Sequence, residues 1–589
     1  MKTFLKTVLA VITGIIISSV LMFFFMLVII GAMVSSGSKP AVVTENSILV
    51  LKSGVPIPDR GNPNPTLVFD MQTVKFSAVT GMNDIIENIR KAENDENIKG
   101  IIIETGLLPS GWATIEEIRN ELIKFRKSGK FVISYTDYVL TQEAYYLSTA
   151  ADKIYINPEG SMEFNGLSAE VMFYKKALEK IGVEVQVIRH GKFKGAVEPF
   201  LLDKLSEENK QQILSYTGSI WNHVVAGIAE TRGLDAAEVN RIADMMLSTD
   251  VEEAAKLNII DGVLYRDQMI DTLKALSGLT TDDKIAFVSM SKYSKVPNTV
   301  KKEYSRDKIA VIYASGNIVM GDGSEMNIGG SAYAKAISEA RKDSSVKAIV
   351  LRVNSPGGSA IASDLIWREA DLARQSKPVV VSMGNYAASG GYYISAPATK
   401  IFADPTTITG SIGVFGLIPN AGKLLNDKLG IATEVVKTNT HADAPSITRA
   451  MTPYEEQVIQ KGVEKTYATF VSHVSAGRGM EFEAVDNIGQ GRVWSGAEAI
   501  SNGLVDAIGG LNDAITEAAL LAGLDNWSLK ELPALEDPYT KILKDLTGEI
   551  AMRSMKSELG IFARYLDEIN ELSGLSGIQT RLPYFITIR

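Results

Sequence analysis

The feature that most constrains the fold of this chain is an internal repeat. The segment KFVISYTDYVLTQEAYYLSTAADKIYINP, which starts at Lys130, aligns without a gap with KPVVVSMGNYAASGGYYISAPATKIFADP, which starts at Lys377. Upstream, IKGIIIETG at Ile98 matches VKAIVLRVN at Val346. The offset stays near 247 over about 200 positions. A repeat of this length predicts duplication of a whole domain, so the two halves should share one fold.

Each half predicts strands that alternate with helices. The short apolar, β-branched runs are Ile48–Leu51, Gly100–Glu104, Phe131–Ser134, Ile309–Tyr313, Ala348–Val353 and Pro378–Ser382. Amphipathic stretches such as Met82–Ala92 and Ala332–Arg341 lie between them. This alternation is typical of βαβ units around a mostly parallel sheet that is buried on both faces. The predicted fold class is therefore α/β, with two tandem domains.

The polar stretch 289–307 predicts the linker between the halves. The resulting boundaries are 45–288 for the N-terminal domain and 308–545 for the C-terminal domain. Residues 546–589 form a predicted helical tail, because 547–571 reads as an amphipathic helix.

A single membrane anchor is predicted ahead of the repeat. Residues 8–34 carry no charge, and 27 helical residues reach about 40 Å, enough to cross a bilayer core. A secretory signal has a shorter apolar stretch and a small-x-small cleavage site, which Ala32-Met33-Val34 fits poorly. Lys2 and Lys6 precede the span, so residues 1–7 are predicted to be cytoplasmic and the domains to lie outside.

Composition excludes several classes of function. Sixty Lys and Arg against sixty-nine Asp and Glu give a net charge of −9, which argues against nucleic acid as the main partner. The chain has no cysteine, and its four histidines show no HExxH spacing, so thiol nucleophiles and zinc proteases are excluded. No metal and no cofactor are expected. Any hydrolytic chemistry has to use Ser, Lys, Asp, Glu or backbone amides.

Two motifs of the second half suggest a nucleophile with an oxyanion hole. Asn354-Ser355-Pro356-Gly357-Gly358 directly follows an apolar strand, and such a glycine pair can present backbone N–H groups at close range. In AASGGYY, Ser389 stands between small residues where a strand enters a helix. The plainer interpretations are a Pro-Gly turn for the first motif and a helix–helix contact of small residues for the second.

The first half has lost both motifs, since Ser389 aligns with Gln142 and Asn354-Ser355-Pro356 with Gly106-Leu107-Leu108. It has instead GKFKGAVEPF, in which Lys194 aligns with about Ala442 of the second half. A lysine in such Gly, Ala, Pro and Phe surroundings can be desolvated, which lowers its pKa and suits a general base. On these residues alone, the more common interpretation of Lys194 is a surface lysine with an extended side chain, and Lys192 is the obvious competing candidate.

Taken together, PGG, AASGGYY, GSIGV at 410–414 and FKGAVEP at 193–199 resemble the signal peptide peptidase A family. The similarity is to its long, tandem-domain, membrane-anchored form, in peptidase family S49 of the Clp-protease/crotonase superfamily, and it covers roughly residues 1–545.

The resemblance implies a Ser/Lys dyad shared between the domains. Ser389 would be the nucleophile and Lys194 the general base, with Ser411 hydrogen-bonded to the lysine. The amides of Gly357 and Gly390 would form the oxyanion hole. The family implies a homotetramer that degrades remnant signal peptides on the periplasmic side of the bacterial inner membrane, to which one helix anchors each chain.

Two other classes of function remain open. An acyl-CoA enzyme of the crotonase type would share the sheet and the glycine-built oxyanion hole, but it needs neither the Lys194/Ser389 pair nor an extracytoplasmic location. A non-enzymatic membrane scaffold would tolerate loss of either residue. A Ser-His-Asp triad is disfavoured, because no Asp–His pattern accompanies Ser389, although His190 lies near Lys194 in the sequence.

Overall fold

The computed structural model describes residues 42–70, 73–298, 304–535, 578–582 and 587–588, together with residues 6, 12–15, 17–19, 21, 22 and 25. Most of the predicted anchor, 8–34, therefore lies outside the described residues. Among those that are described, no helix has both the length and the apolar character needed to cross a membrane.

The strands are numbered along the chain. Those of the first half are β1 Ser47–Leu51, β2 Asn62–Asp70, β3 Thr73–Val79, β4 Ile98–Ile103, β5 Phe131–Thr136, β6 Val139–Leu140, β7 Lys153–Ile156, β8 Ser161–Met162, β9 Ala169–Glu170, β10 Glu184–His190, β11 Gly262–Val263 and β12 Ala286–Ser289. Those that follow are β13 Lys308–Ser315, β14 Asn317–Val319, β15 Gly323–Ser324, β16 Asn327–Gly329, β17 Val346–Ser355, β18 Gly357–Ser359, β19 Val379–Ala388, β20 Lys400–Ala403, β21 Ile408–Gly410, β22 Val414–Asn420, β23 Val493–Ser495, β24 Ala507–Ile508, β25 Ser528–Leu532, β26 Ile578–Arg581 and β27 Thr587–Ile588.

The helices of the first half are Met82–Glu93, Trp112–Arg126, Gln142–Ser148, Lys175–Ile181, Glu198–Leu201, Glu207–Arg232, Ala236–Asp244, Val251–Lys256, Arg266–Leu276 and Met290–Tyr293. Those of the second half are Gly330–Lys342, Ala360–Arg374, Gly390–Ser395, Pro453–Arg478, Phe482–Ile488, Gly496–Ser501 and Leu511–Leu521.

The two halves build the same parallel sheet twice. In the first half the strand order is β12-β1-β4-β5-β7-β11, and in the second it is β25-β13-β17-β19-β20-β24. Neighbouring strands within each of these series run parallel. Their apolar side chains are buried on both faces, as parallel sheets covered by helices require. The predicted α/β class and the six predicted strands are confirmed.

Individual hydrogen bonds are duplicated as well. Lys130 Nζ donates to the carbonyls of Ala92 and Asp95, at the end of the helix that precedes β4. The aligned Lys377 donates in the same way to Ala340 and Asp343, before β17. Each ammonium group places a positive charge on carbonyls at or just beyond the C-terminal end of a helix, where a cation is favoured. The repeat thus extends to the polar contacts that terminate helices.

The halves are joined through buried charge. Arg352 on β17 is fully buried and forms ion pairs of 2.7 Å with both Asp59 and Glu117 of the first half. Asn354 donates a further 2.7 Å hydrogen bond to Asp59. Because a buried guanidinium needs compensating carboxylates, the two halves depend on each other for stability.

A third sheet also crosses between the halves, in the order β10-β22-β26-β18-β14-β16-β15. The first-half strand β10 runs antiparallel to β22 over seven residue pairs, from Glu184 with Asn420 to His190 with Val414. This strand carries the segment that follows it, including Lys194, onto the second half.

Two predicted segments differ in part from the structure. In the predicted linker 289–307, Met290–Tyr293 forms a helix held by a hydrogen bond from Tyr293 to Asp95, and 299–303 lie outside the description. In the predicted helical tail, 578–581 and 587–588 form strands rather than helix, because they pair with strand edges of the body, and 546–577 are not described.

Candidate active site

Ser389 occupies a sharp bend between strand β19 and the helix Gly390–Ser395. Its φ of 55° and ψ of −112° are unusual for a residue with a side chain. The bend is held on both sides, since Ser389 N–H donates to the Gly410 carbonyl at 2.8 Å and Tyr393 N–H donates to the Ser389 carbonyl at 2.8 Å. A serine held in this way stands at a helix N-terminus, where developing negative charge is favoured.

Lys194 reaches this serine from the other half of the molecule. Its Nζ lies 2.8 Å from Ser389 Oγ, 3.0 Å from Ser411 Oγ and 3.1 Å from the Ser411 carbonyl oxygen. All three side chains are fully buried. The structure therefore brings together the three side chains that the resemblance singled out, although Lys194 lies about 200 residues before the two serines in the sequence.

Burial changes the acid–base character of Lys194. Desolvation holds the pKa of its ammonium well below the usual 10.5. The amine is thus more easily deprotonated than an ordinary lysine, and a neutral amine can accept a proton from a hydroxyl 2.8 Å away. Lys192, the competing candidate, is exposed.

Ser411 also has an unusual backbone, with φ 51°. Its N–H donates to the Arg492 carbonyl at 2.6 Å. This bond holds the serine against the lysine amine, so its hydroxyl and its carbonyl both face Nζ. Both oxygens of Ser411 therefore lie within hydrogen-bonding distance of Lys194 Nζ.

Gly357 and Gly390 lie side by side next to the serine. Gly357 has φ 100°, and a Cβ there would approach Gly390 N to 2.7 Å and the Thr580 carbonyl oxygen to 2.3 Å. Only glycine allows the two backbone segments to come this close. The Gly357 N–H donates to Ser355 Oγ at 3.1 Å.

The chain's own C-terminal strand lies in the groove beside these residues. Strand β26 runs antiparallel to β18 on one side and to β22 on the other. Leu582 N–H donates to the Pro356 carbonyl at 2.8 Å, and Thr580 Oγ1 donates to the Gly358 carbonyl at 3.1 Å. An extended polypeptide therefore fits between β18 and β22, where two edges supply backbone hydrogen bonds.

Sequence reasoning missed the residues that hold the lysine loop. Gly491, with φ 84°, leaves space for Lys194, because a Cβ there would lie 2.6–2.7 Å from the lysine's N, Cα and Cβ. Gln212 fastens the loop by donating to the Phe193 carbonyl at 3.0 Å and accepting from Val493 N–H at 3.0 Å. The G-Q-G run at 489–491 was a detectable turn signal, but its contact with Lys194 is tertiary.

The first half lacks this geometry at the aligned positions. Thr141 and Gln142 begin the helix that matches Gly390–Ser395, and Thr141 has ordinary extended angles, φ −71° and ψ 159°. Pro109 stands where the second half has Gly357, and proline has no N–H to donate. The first half thus has neither the bent backbone found at Ser389 nor an N–H group at the position of Gly357.

The four histidines lie in other contacts. His190 stacks on Tyr467 with ring centroids 3.9 Å apart. His223, His441 and His473 each lie within 3.3 Å of a carboxylate oxygen. In the part of the chain that the structure describes, no group of three or more His, Asp or Glu side chains could hold a metal ion.

Comparison with known proteins finds several relatives that are described as proteases or peptidases. The family model described as Peptidase family S49 matches residues 124–280 and 371–525, one match in each half. Protease 4 of Haemophilus influenzae is 36% identical over 74% of this chain and 72% of its own length. Protease 4 of Salmonella typhi is 34% identical, covering 88% and 85%.

The chloroplastic serine protease SPPA of Arabidopsis thaliana is 32% identical, covering 87% of this chain and 76% of its own. These relatives span both halves, and the family model recognises each half separately. The chain therefore belongs to peptidase family S49 and is a serine peptidase.

Proposed function

We propose that this peptidase is a membrane-anchored endopeptidase with a Ser/Lys dyad, in which Ser389 is the nucleophile and Lys194 the general base, and that it degrades remnant signal peptides. The observation that carries the proposal is the 2.8 Å contact between Lys194 Nζ and Ser389 Oγ in a fully buried site.

The reaction begins with neutral Lys194 accepting the hydroxyl proton while Ser389 Oγ attacks a peptide carbonyl carbon. Negative charge develops on the carbonyl oxygen. The N–H groups of Gly357 and Gly390 stabilise it, with Gly357 exchanging its bond to Ser355 for the oxyanion.

Lys194 then gives its proton to the leaving amine, the peptide C–N bond breaks, and an acyl-enzyme remains. In the second step Lys194 takes a proton from water, which attacks the ester carbonyl carbon. The bond from that carbon to Ser389 Oγ then breaks, Lys194 returns its proton to Oγ, and the acid leaves. Both steps use Lys194 Nζ to carry the proton. The hydrogen bond from Nζ to Ser411 Oγ would keep the amine directed at Ser389 in both steps.

Substrates would bind as extended strands in the groove between β18 and β22. The antiparallel pairing of β26 with both edges supports this mode. An extended chain without stable structure suits a released signal peptide better than a folded protein. The named relatives are described as proteases, which favours peptide bonds over acyl-CoA thioesters as the substrate.

The location and assembly rest on the sequence. The uncharged span 8–34 would anchor the chain in the bacterial inner membrane with its domains in the periplasm, and the family resemblance implies a homotetramer of Clp-protease/crotonase-like domains. The exposed segment 431–449 supports assembly. It aligns with the first-half segment that carries Lys194 onto the second half, and Val436 in it is 95% exposed.

The test is hydrolysis of a leucine-rich fluorogenic peptide by the detergent-solubilised protein, compared with Ser389→Ala, Lys194→Ala and the control Lys192→Ala. Wild type and the control should cut. Lys194→Ala should lose about 10²–10⁴-fold in kcat/KM and Ser389→Ala at least about 10⁴-fold, while both remain folded by circular dichroism. Near-normal activity of Lys194→Ala would refute the base assignment. A wild type that cuts no peptide would favour the scaffold alternative.

A further inference from the structure

The first half has a groove of its own at the position that corresponds to the active groove. A cavity of about 970 Å³ lies there. Its walls include Leu107–Trp112, which matches the oxyanion segment, and Thr141–Glu143, which matches the nucleophile segment. A third wall, Asn165–Ser168, leads directly into strand β9.

This first-half groove also pairs with the chain's C-terminal segment. In the second half, β22 pairs antiparallel with β26, and Gly416 lies opposite Ile578. In the first half, β9 pairs antiparallel with β27, and Ala169 lies opposite Ile588. Gly416 and Ala169 are equivalent positions of the repeat, 247 residues apart. The same backbone pairing therefore occurs twice, ten residues apart along one polypeptide.

From this repetition we infer that the first-half groove is a non-catalytic binding site for the same extended peptide that enters the active groove. In the chain's own tail, Arg581 lies opposite Gly357, and Ile588, seven residues later, lies opposite Ala169. The first-half groove would therefore hold the part of the substrate about seven residues C-terminal to the residue opposite Gly357. The inference rests on the proposed peptidase function and adds a requirement on substrate length.

The lining of the cavity indicates which peptide chemistry it accepts. Leu107 and the partly buried Leu167 offer apolar surface, and Glu143 and Glu163 add two carboxylates. Burial, together with the nearby charge of Glu163, raises the pKa of Glu143. A further negative charge would be repelled there, so the groove suits apolar or basic peptide segments and disfavours acidic ones.

A peptide series tests the length requirement. One cleavable apolar sequence is extended at its C-terminus by two, by five or by nine residues, and KM is measured with the full-length protein. We expect KM to fall by about tenfold between the five- and nine-residue extensions, because backbone pairing with β9 is added only then. Aspartate residues in the distal part should abolish the gain.

Variants locate the effect. Leu107 is 55% exposed, so Leu107→Asp should fold, and it should bring the ratio of KM values for the short and long peptides close to one. The matched control is Leu276→Asp, which changes a leucine of 48% exposure outside the cavity and should keep the wild-type ratio. A wild-type KM that does not depend on length, while short peptides are cut, would overturn the inference and leave the proposed function standing. The first-half groove would then serve only the chain's own C-terminal segment.

A binding measurement keeps the inference testable without turnover. Fluorescence anisotropy of labelled short and long peptides on Ser389→Ala should show about tenfold tighter binding of the long peptide, and Leu107→Asp should remove the difference. Equal affinities would overturn the inference, whether or not the wild type cuts.

Discussion

Each half has its own copy of the same parallel sheet, of the surrounding helices and of the lysine contacts at the ends of matching helices. The backbone bends sharply only in the second half, where strand β19 ends. Ser389 has φ 55°, whereas Thr141 and Gln142 begin the matching helix without such a bend. Gly357 has φ 100° and an N–H, whereas its counterpart Pro109 has no N–H.

Under the proposed mechanism, a duplicated scaffold is kept while the groups of the dyad are divided between its two copies. The first half supplies Lys194 on a segment that crosses to the second half along β22. The second half supplies the serine, Ser411 and the paired glycines. Because each half holds part of the site, the packing between halves sets the reacting distance.

The largest expected effect comes from trying to move the nucleophile. Ser389→Ala should lower kcat/KM by at least about 10⁴-fold, and adding Gln142→Ser should restore nothing, because the first half has neither the bent backbone nor the Gly357-type donor. Hydrolysis of the fluorogenic peptide by both variants checks this. Activity in the double variant that exceeds that of Ser389→Ala would show that the scaffold alone suffices.

The second-largest expected effect is a loss of stability when the buried ion pairs between the two halves are broken. Arg352→Met leaves Asp59 and Glu117 buried without their cation, which should lower the free energy of unfolding by about 3–5 kcal/mol. Arg341→Met removes a pair with Glu369 inside the second half in which each side chain is 24% exposed, and it should cost less than about 1 kcal/mol. Urea unfolding followed by tryptophan fluorescence measures both, and equal losses would contradict the special role of the buried network.

A side chain added at Gly357 would fill the space beside Gly390, and it tests whether this pair of glycines contributes to catalysis. Gly357→Ala places a Cβ within 2.7 Å of Gly390 N, so kcat should fall by about 10²–10³-fold. The control is Gly278→Ala, which also has positive φ but no atom within 4 Å of the added Cβ. It should lose up to about 1 kcal/mol of stability with no change in kcat. Unchanged kcat in Gly357→Ala would remove this residue from the oxyanion hole.

The smallest expected effects are those of pH. Since burial lowers the pKa of Lys194 below 10.5, kcat/KM should rise with pH as the amine loses its proton, and level off well below pH 10.5. Between that lowered pKa and 10.5 the unfolded chain binds the extra proton, so stability should also rise with pH there.

Lys194→Met should remove this part of the pH dependence and raise Tm at neutral pH, because no amine then has to be desolvated. Tm measured at several pH values in both proteins checks the sign. A Tm difference that does not change with pH would contradict a lowered lysine pKa.

Much of the fold was predictable because it depends on local patterns. Runs such as Ile98–Ile103 and Lys308–Ser315 are apolar and β-branched, and strand formation follows from that composition. The repeat then predicted that both sheets have the same design. The tail differed because its described residues, 578–582 and 587–588, are extended by pairing with distant strands, which no local pattern encodes.

The residues of the candidate site were found by sequence, but only as types and motifs. The composition around Lys194 allows both a buried base and a surface lysine, and Lys192 two residues earlier has the same side-chain chemistry. Gly491 lies about 300 residues from Lys194 in the sequence, and Gln212 lies about 20 residues from Phe193. Both were missed because their contacts with the lysine loop are tertiary.

Residue identity and order alone are enough to establish the duplication, the α/β class and the loss of the serine and glycine motifs from one half. Only the tertiary structure decided that Lys194 rather than Lys192 is buried, that it lies 2.8 Å from Ser389, and that its pKa is lowered. The physical reason is that burial and distance depend on how β10 packs against β22, and this packing joins residues more than 200 positions apart.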